Sequence, residues 1–252
     1  MVTQSLISLV TAVRNGNGVI CDSLDSIQNQ ETRCHHIVID GASSDGTLET
    51  VRSYGSRIAK LVSEPDQGIY EALNKGLKLA SSEIVGFLHA DDMLAHSDVL
   101  ARISQSFAND SVDAVYGDLI YVDAMDTRRV IRYWRAGEFS RQALSRGWMP
   151  PHPTLYVRRH WYEKLGGFDT RYRIAGDYDF ILRLFSQPNF KAVYIPEVLV
   201  KMRVGGASNR SLKQIIKKTS EDYRALRRSN VGGLMTLACK NFRKIHQFWV
   251  RA

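Results

Sequence analysis

The sequence predicts an α/β fold with a mostly parallel central sheet flanked by helices, and three observations carry that reading. Short apolar runs rich in β-branched residues alternate with segments of helical periodicity through the first hundred residues. Acidic residues stand at the ends of those runs, where ligands bind in open α/β sheets. The chain has 252 residues, 44 % hydrophobic and 24 % charged, enough to bury a sizeable core without disulfides or a structural metal.

The elements follow in order. Leu6 to Val13 is strand-like, and Asn15-Gly16-Asn17-Gly18 turns into a helix ending near Gln30. His36 to Asp40 is a short buried strand, followed by a turn and a helix from about Thr47, with Ser44 or Asp45 available as its cap. Lys60 to Ser63 is a third strand, Ile69 to Ala80 a helix, and Glu83 to His89 a fourth strand ending on Asp91-Asp92. Strands alternating with helices imply right-handed parallel crossovers. After about residue 112 the pattern changes. Ala114 to Val122 and Arg128 to Trp134 read as strands, Asp177 to Phe185 as a helix, and Lys191 to Val204 as extended chain. Ser211 to Arg228 and Leu234 to Trp249 read as basic helices.

Cys21, Cys34 and Cys239 are odd in number and far apart. That excludes a disulfide framework or a zinc ribbon and suits a reducing, cytoplasmic setting. Met1 to Val13 reads as a first strand rather than a signal peptide. No apolar run approaches the roughly 18 residues that a membrane span needs. The net charge of +8 is uneven: from Lys201 onward thirteen Lys and Arg face two acids. That surplus of eleven leaves the first 200 residues at −3. A mildly acidic body with a strongly basic end points to an anionic partner surface for the end alone. A nucleic-acid-binding protein would instead spread its basic residues among aromatics over one surface.

Three strand ends aim carboxylates at one crevice: Asp40 after the second strand, Asp66 past the third, Asp91 and Asp92 after the fourth. Two adjacent carboxylates repel unless a cation or good donors stand between them. Hard oxygen ligands suit Mg²⁺ or Mn²⁺, with remaining positions left for diphosphate oxygens. Asp92 could instead cap the next helix. His152 stands in a Pro-rich loop, either as a structural residue or in contact with a diphosphate or an acceptor. Arg132, Trp134 and Arg135 suit phosphate recognition or a solvated surface. Gly205-Gly206-Ala207-Ser208 reads as a loop over a diphosphate or as a linker.

Four blocks give the sequence a family likeness: Thr11 to Asn15, Ile39 to Thr47, Glu64 to Gly76, and Phe87 to Asp92. In order and spacing they resemble family 2 glycosyltransferases of GT-A fold. Gly147 to Thr154, Gly166 to Asp169 and Gly176 to Asp179 resemble the acceptor half of the bacterial surface-polysaccharide members. The resemblance covers about residues 5 to 205. It implies a GT-A domain over 1–205, with a nucleotide-sugar-binding half (1–110) and an acceptor-binding half (111–205), followed by a basic helical tail over 206–252. It implies a nucleotide-sugar donor, a saccharide or lipid-linked saccharide acceptor, and inversion at the anomeric carbon. By the same resemblance, Thr11, Val13 and Asn15 line the base and ribose, and Asp40 accepts a hydrogen bond from the base. Asp66, Asn74 and Lys75 close the nucleotide pocket. Asp91 contacts the ribose or donor sugar, and Asp92 holds the metal. Asp177 is the general base, with Asp179 its nearest competitor. Two positions depart from the family pattern: His89 stands where an aspartate is usual, and Gly176 where a glutamate precedes the base.

Leu234 to Trp249 mixes Leu, Met, Phe and Trp with Lys240, Arg243, Lys244 and Arg251. It suits an anionic membrane interface at the inner face of the cell membrane. The alternative is a helix packed on the body through Leu237, Phe242, Ile245 and Phe248. Two other functions compete. A sugar nucleotidyltransferase calls for a lysine in the first loop, which Asn15-Gly16-Asn17-Gly18 lacks. A catalytically degenerate nucleotide-binding protein would explain His89 and Gly176.

Overall fold

The structure, a computed structural model, describes residues 6–205 and 212–246. Four strands form its parallel half: β1 (Ile7–Val13), β2 (His35–Asp40), β3 (Lys60–Ser63) and β4 (Ile84–Phe87), in the order β3-β2-β1-β4. The helices α1 (Ile20–Gln28), α2 (Thr47–Ser53) and α3 (Ile69–Leu79) connect them. The register sets Val13 opposite Asp40 and Asp40 opposite Ser63, so these carboxyl ends share one edge. Strand order reverses at β1, with β2 on one side and β4 on the other. Such a switch point opens a crevice beyond the strand ends.

The remaining elements are β5 (Asp92–Leu94), α4 (Val99–Ser106), β6 (Ala114–Val122), β7 (Val130–Trp134), α5 (Arg141–Ser145), β8 (Tyr156–Arg158), α6 (Arg159–Leu165), α7 (Gly176–Phe185), β9 (Ala192–Arg203), α8 (Leu212–Arg228) and α9 (Leu234–His246). They extend the sheet to nine strands. β8 lies antiparallel between β4 and β6, β9 runs parallel to β6, and β5 closes the far edge against β9. The first and second halves of the chain therefore share one sheet. The fourth strand stops at Phe87, short of the expected His89, because the His89 carbonyl accepts the Asp92 N–H at 3.0 Å in a turn. Asp92 then opens β5 instead of capping a helix; α4 begins at Val99 after Asp98.

Alternation along the strands sorts the core into two layers. Val10, Ala12, Val85 and Phe87 face an aromatic layer with Tyr116, Trp148, Phe168, Phe180 and Phe185. Ile7, Leu9 and Ile84 face the opposite layer with Leu100, Ile103, Val115 and Leu199. Each such side chain, fully buried, contributes about 1.5–3 kcal/mol. In the aromatic layer, Tyr162 and Phe180 stack at 4.5 Å between centroids. Buried Asp118 on β6 ties three neighbours together, accepting from Tyr133 Oη (2.5 Å), Tyr194 Oη (2.7 Å) and the Ala136 N–H (2.8 Å).

The two C-terminal helices pack on this body. Ala225, Leu226 and Leu237 join the aromatic layer. Gly147, in the left-handed region at φ +77, meets α9 so closely that a Cβ there would lie 2.6 Å from the Lys240 backbone nitrogen. Leu237 is thus buried as the packed alternative expects, whereas Phe242 is 71 % exposed. The Ile245 side chain, Phe248, Trp249 and the loop residues Gly206 to Ser208 lie outside the described residues.

Candidate active site

The loops after β1 and β2 are sewn together by short polar side chains. Asn15 adopts φ +51, a conformation asparagine tolerates. Its N–H donates to Ser43 Oγ (2.8 Å) and its Oδ1 accepts from the Ser44 N–H (2.9 Å). The Gly16 N–H donates to Thr47 Oγ1 at 2.9 Å. Asp45 Oδ1 accepts from the Thr47 N–H at 3.1 Å at the start of α2. Buried Asp40 organises the same turn, accepting from the Ser43 N–H and, at 2.6 Å, from Ser63 Oγ. Asp66 lies beside Gly41 and is paired with Lys75 Nζ at 2.5 Å.

Not every expected nucleotide contact reaches this edge. Thr11 is fully buried and bonded to His36 Nε2 at 3.1 Å, which leaves no part of it at the crevice surface. The Val13 side chain packs with Ile20, Leu24 and Ala90. Asn74 is drawn away altogether. Its amide donates to the Phe168 carbonyl (2.8 Å) and accepts from the Phe168 N–H (2.8 Å), clamping α3 to the turn before α7. Asn74 resembles a binding residue in sequence, but the complementary pair of backbone bonds occupies it.

At the β4 end Asp92 is only 1 % exposed, and neither carboxylate oxygen has a hydrogen-bond partner among the described residues. Burial pushes its pKa well above the usual carboxylate range, neighbouring Asp91 adds to the rise, and the Arg203 guanidinium opposes it. A buried carboxylate without donors is a costly arrangement that a cation would relieve. The described residues contain no group of three or more His, Cys, Asp or Glu side chains able to hold a metal on their own. A divalent ion here would rely on Asp92, with Asp91 adjacent, and take other oxygens from phosphate and water, as Mg²⁺ and Mn²⁺ sites commonly do. The residues fit such an ion.

His152 is also buried, with no partner on either ring nitrogen among the described residues. It stacks on Phe87 (5.8 Å between centroids) and lies 6.0 Å from His89. Burial holds its pKa down at about 4; Asp177 pulls it up and His89 lowers it further. His152 is therefore neutral at pH 7, within the fields of both His89 and Asp177.

Asp177 lies in the first turn of α7 but is not its cap, which is Ala175. Tyr70 Oη approaches Asp177 Oδ1 at 3.1 Å and donates to the Ile174 carbonyl at 2.6 Å. Asp179, the competing base, is buried and held by Arg183 Nε at 2.8 Å, turned into the body. Tyr121 lies on β6. Burial raises the pKa of its hydroxyl, Arg132 lowers it, and Asp92 and Asp177 both raise it, which sets Tyr121 within the field of each. The Arg132 guanidinium stacks 3.7 Å above the Tyr121 ring. Arg132 is thus brought to the site, while Arg135 is exposed and Trp134 packs on the opposite core layer.

Sequence reasoning missed Tyr121, Arg203 and Glu221. Arg203 is buried on β9, pairs with Asp22, and leaves Nη1 without a partner among the described residues. Glu221 on α8 accepts backbone N–H groups from Arg173 (3.1 Å), Ile174 (2.8 Å) and Ala175 (3.0 Å), the three residues entering the base helix. Adjacent Asp222 is the buried partner of Lys240, whose ammonium sits 3.2 Å over the Tyr178 ring. An acid in a basic helix was the one signal available for this pair.

A parallel switch-point crevice with a buried carboxylate, Asp92, left without donors among the described residues at one strand end is the kind of site a nucleotide-dependent transferase uses. Residues 8–173 match the Glycosyl transferase family 2 model, and the chain belongs to that family and is a glycosyltransferase. A PGL/p-HBAD biosynthesis glycosyltransferase of Mycobacterium bovis is 30 % identical over 220 residues, covering 84 % of this chain and 83 % of that protein. The hyaluronan synthase of Pasteurella multocida is 26 % identical over 213 residues, 83 % of this chain but 21 % of that larger protein. Among solved structures, S. aureus TarS 1-349 in complex with UDP-GlcNAc superposes with a TM-score of 0.69 at 16 % identity, covering 89 % of this chain and 65 % of TarS 1-349. The mannosyltransferase PcManGT from Pyrobaculum calidifontis, in complex with GDP-Man and Mn²⁺, gives 0.67 at 21 % identity, covering 98 % and 72 %. These likenesses show the GT-A fold.

Proposed function

We propose that this chain moves a sugar from a nucleoside-diphosphate donor to a hydroxyl of a saccharide or lipid-linked saccharide acceptor, with inversion. The observation that carries the reading is buried Asp92 at the strand ends of the switch-point crevice, its carboxylate oxygens without a hydrogen-bond partner among the described residues. Asp177 takes the proton of the acceptor hydroxyl as that oxygen attacks the anomeric carbon. The bond from that carbon to the diphosphate breaks on the opposite face. Asp92, with Asp91, would hold Mg²⁺ or Mn²⁺, which supplies charge neutralisation for the departing diphosphate. Asn15, Asp40, Asp66 and Lys75 shape the nucleotide end, and neutral His152, beside His89, offers a donor and an acceptor.

The test is calorimetry with UDP, GDP, dTDP and CDP, each with and without Mn²⁺, on the native chain and Asp92→Asn. Metal-dependent binding of one nucleotide, lost in the variant, supports the reading and identifies the donor base. Folded protein that binds none of them with metal present would favour a degenerate nucleotide-binding relative. Metal-dependent nucleotidyl transfer to a sugar phosphate would favour a sugar nucleotidyltransferase.

The acceptor side of this reading places the chain at the inner face of a bacterial membrane. No described helix is long and apolar enough to cross a membrane. Instead α8 and α9 expose Ile216 (63 %), Leu234 (70 %), Met235 (78 %) and Phe242 (71 %). Lys217, Lys218, Arg224 and Arg243 accompany them on the same helices. Apolar insertion with cations toward anionic lipid suits these faces. Sedimentation with phosphatidylglycerol vesicles at low salt should retain the protein; failure to retain it would remove the membrane from the reading.

A further inference from the structure

We propose that Tyr70 is a positioning residue for the base: its hydroxyl fixes the Asp177 carboxylate and has a hydrogen bond for it in either protonation state. The inference rests on the reading of Asp177 as general base.

Tyr70 comes from the start of α3, far from α7 in sequence, and its ring is buried. The ring lies flat against Gly176. A Cβ at that position would stand 2.8–2.9 Å from three ring carbons. The tyrosine ring thus occupies the space that a side chain at 176 would need. This is where the family resemblance expects a glutamate beside the base. The missing acid and the inserted ring are one feature.

The hydroxyl sits between two acceptors, the Ile174 carbonyl at 2.6 Å and Asp177 Oδ1 at 3.1 Å. A phenol carries one proton and two lone pairs. While Asp177 is ionised, the O–H is shared between carbonyl and carboxylate. Once Asp177 has taken the acceptor's proton, its own O–H can donate to Tyr70 Oη, and Tyr70 donates to Ile174. Burial, with Asp177 adding to it, pushes the Tyr70 pKa well above 10, so the phenol keeps its proton throughout. Glu221 grips the N–H groups of 173–175 from the other side, so the carbonyl that orients Tyr70 is itself held.

The other titratable groups facing Asp177 are Tyr121 on β6, His152 beside β4 and Lys240 on α9. Tyr70→Phe leaves all three in place. The experiment is steady-state nucleotide release from UDP-glucose, UDP-GlcNAc, GDP-mannose and dTDP-rhamnose with water as acceptor. Without the hydroxyl the Asp177 carboxylate loses its fixed orientation, so Tyr70→Phe should lower kcat about tenfold at unchanged donor KM. Gly176→Ala, which pushes the ring aside, should move it the same way. Thermal melting checks that both variants fold. A kcat within about twofold of native in folded Tyr70→Phe, while Asp177→Asn loses nucleotide release, would overturn the proposal. The base reading is checked separately by Asp177→Asn in the same assay. If Asp177→Asn keeps the native release rate, the base reading fails, whatever Tyr70→Phe shows.

Discussion

Lys240 Nζ lies 2.8 Å from Asp222 Oδ2, and both side chains are almost wholly buried, 5 % and 3 % exposed. The pair fastens α9 to α8, directly behind the base helix. Breaking a buried pair leaves an uncompensated charge and costs about 3–5 kcal/mol. Lys240→Met should therefore destabilise the protein by that order in urea unfolding. Lys240→Met with Asp222→Leu should recover most of the loss, because two apolar groups replace the pair.

Asp92 makes the opposite prediction. Its pKa is raised in the fold, so stability is full at low pH and falls as pH climbs past about 4, where the unfolded carboxyl ionises and the folded one does not. Asp92→Asn should then melt higher than the native chain at pH 7 in EDTA. A gain of 1 kcal/mol corresponds to about 2–4 °C for a chain of this size. The variant should also lose any Mn²⁺-induced rise in melting temperature. A site residue that weakens the fold until a ligand arrives is the expected trade.

His36 sets an acid limit. Burial holds its pKa at about 4, well below the ordinary 6.5, with His35 adding to the drop. Above pH 6.5 the ring is neutral in both states and costs nothing. Below it, the unfolded chain binds a proton that the native chain refuses until about pH 4. One such histidine removes about 2 kcal/mol by pH 5. Urea unfolding at pH 7.5 and pH 5 should show that loss, and His36→Asn should shrink it.

Glu221→Ala should slow catalysis with little change in nucleotide affinity. It strips the acceptor from three successive N–H groups before Asp177. Each unsatisfied donor costs about 1–3 kcal/mol, and 1.4 kcal/mol of misplacement is about tenfold in rate. A drop in kcat of roughly ten- to a hundredfold at unchanged donor KM is the expected result.

The parallel half of the sheet was legible because each strand was a short apolar run closed by an acid. β1, β2 and β3 and the helix from Ile69 stand close to where the sequence put them. β8 was not legible: three residues, Tyr156–Arg158, become a strand only because β4 and β6 flank them. β5 is equally short, and its partner Met202 lies 110 residues away in sequence. Within the proposed site, Asp91 and Asp92 were visible as charges at a strand end, and Asp177 through the family resemblance alone. Asn74 misled because a polar side chain in a motif looks free until its backbone partner, Phe168, is known. Tyr121 and Glu221 were hidden for the converse reason, since only long-range packing gives a strand tyrosine or a lone helix acid a place beside the site.

Asp118 gathers hydroxyls from Tyr133 on β7 and Tyr194 on β9 onto a single carboxylate. The stem of the β6–β7 hairpin therefore cannot drift as sequences diverge without breaking several bonds at once. Its tip is unconstrained by that knot, with Met125 94 % exposed. The hairpin is a mast with a stay at its top: Arg203 Nε, reaching from β9, donates to the Ala124 carbonyl, so the guanidinium that acts on Asp92 also tethers the turn.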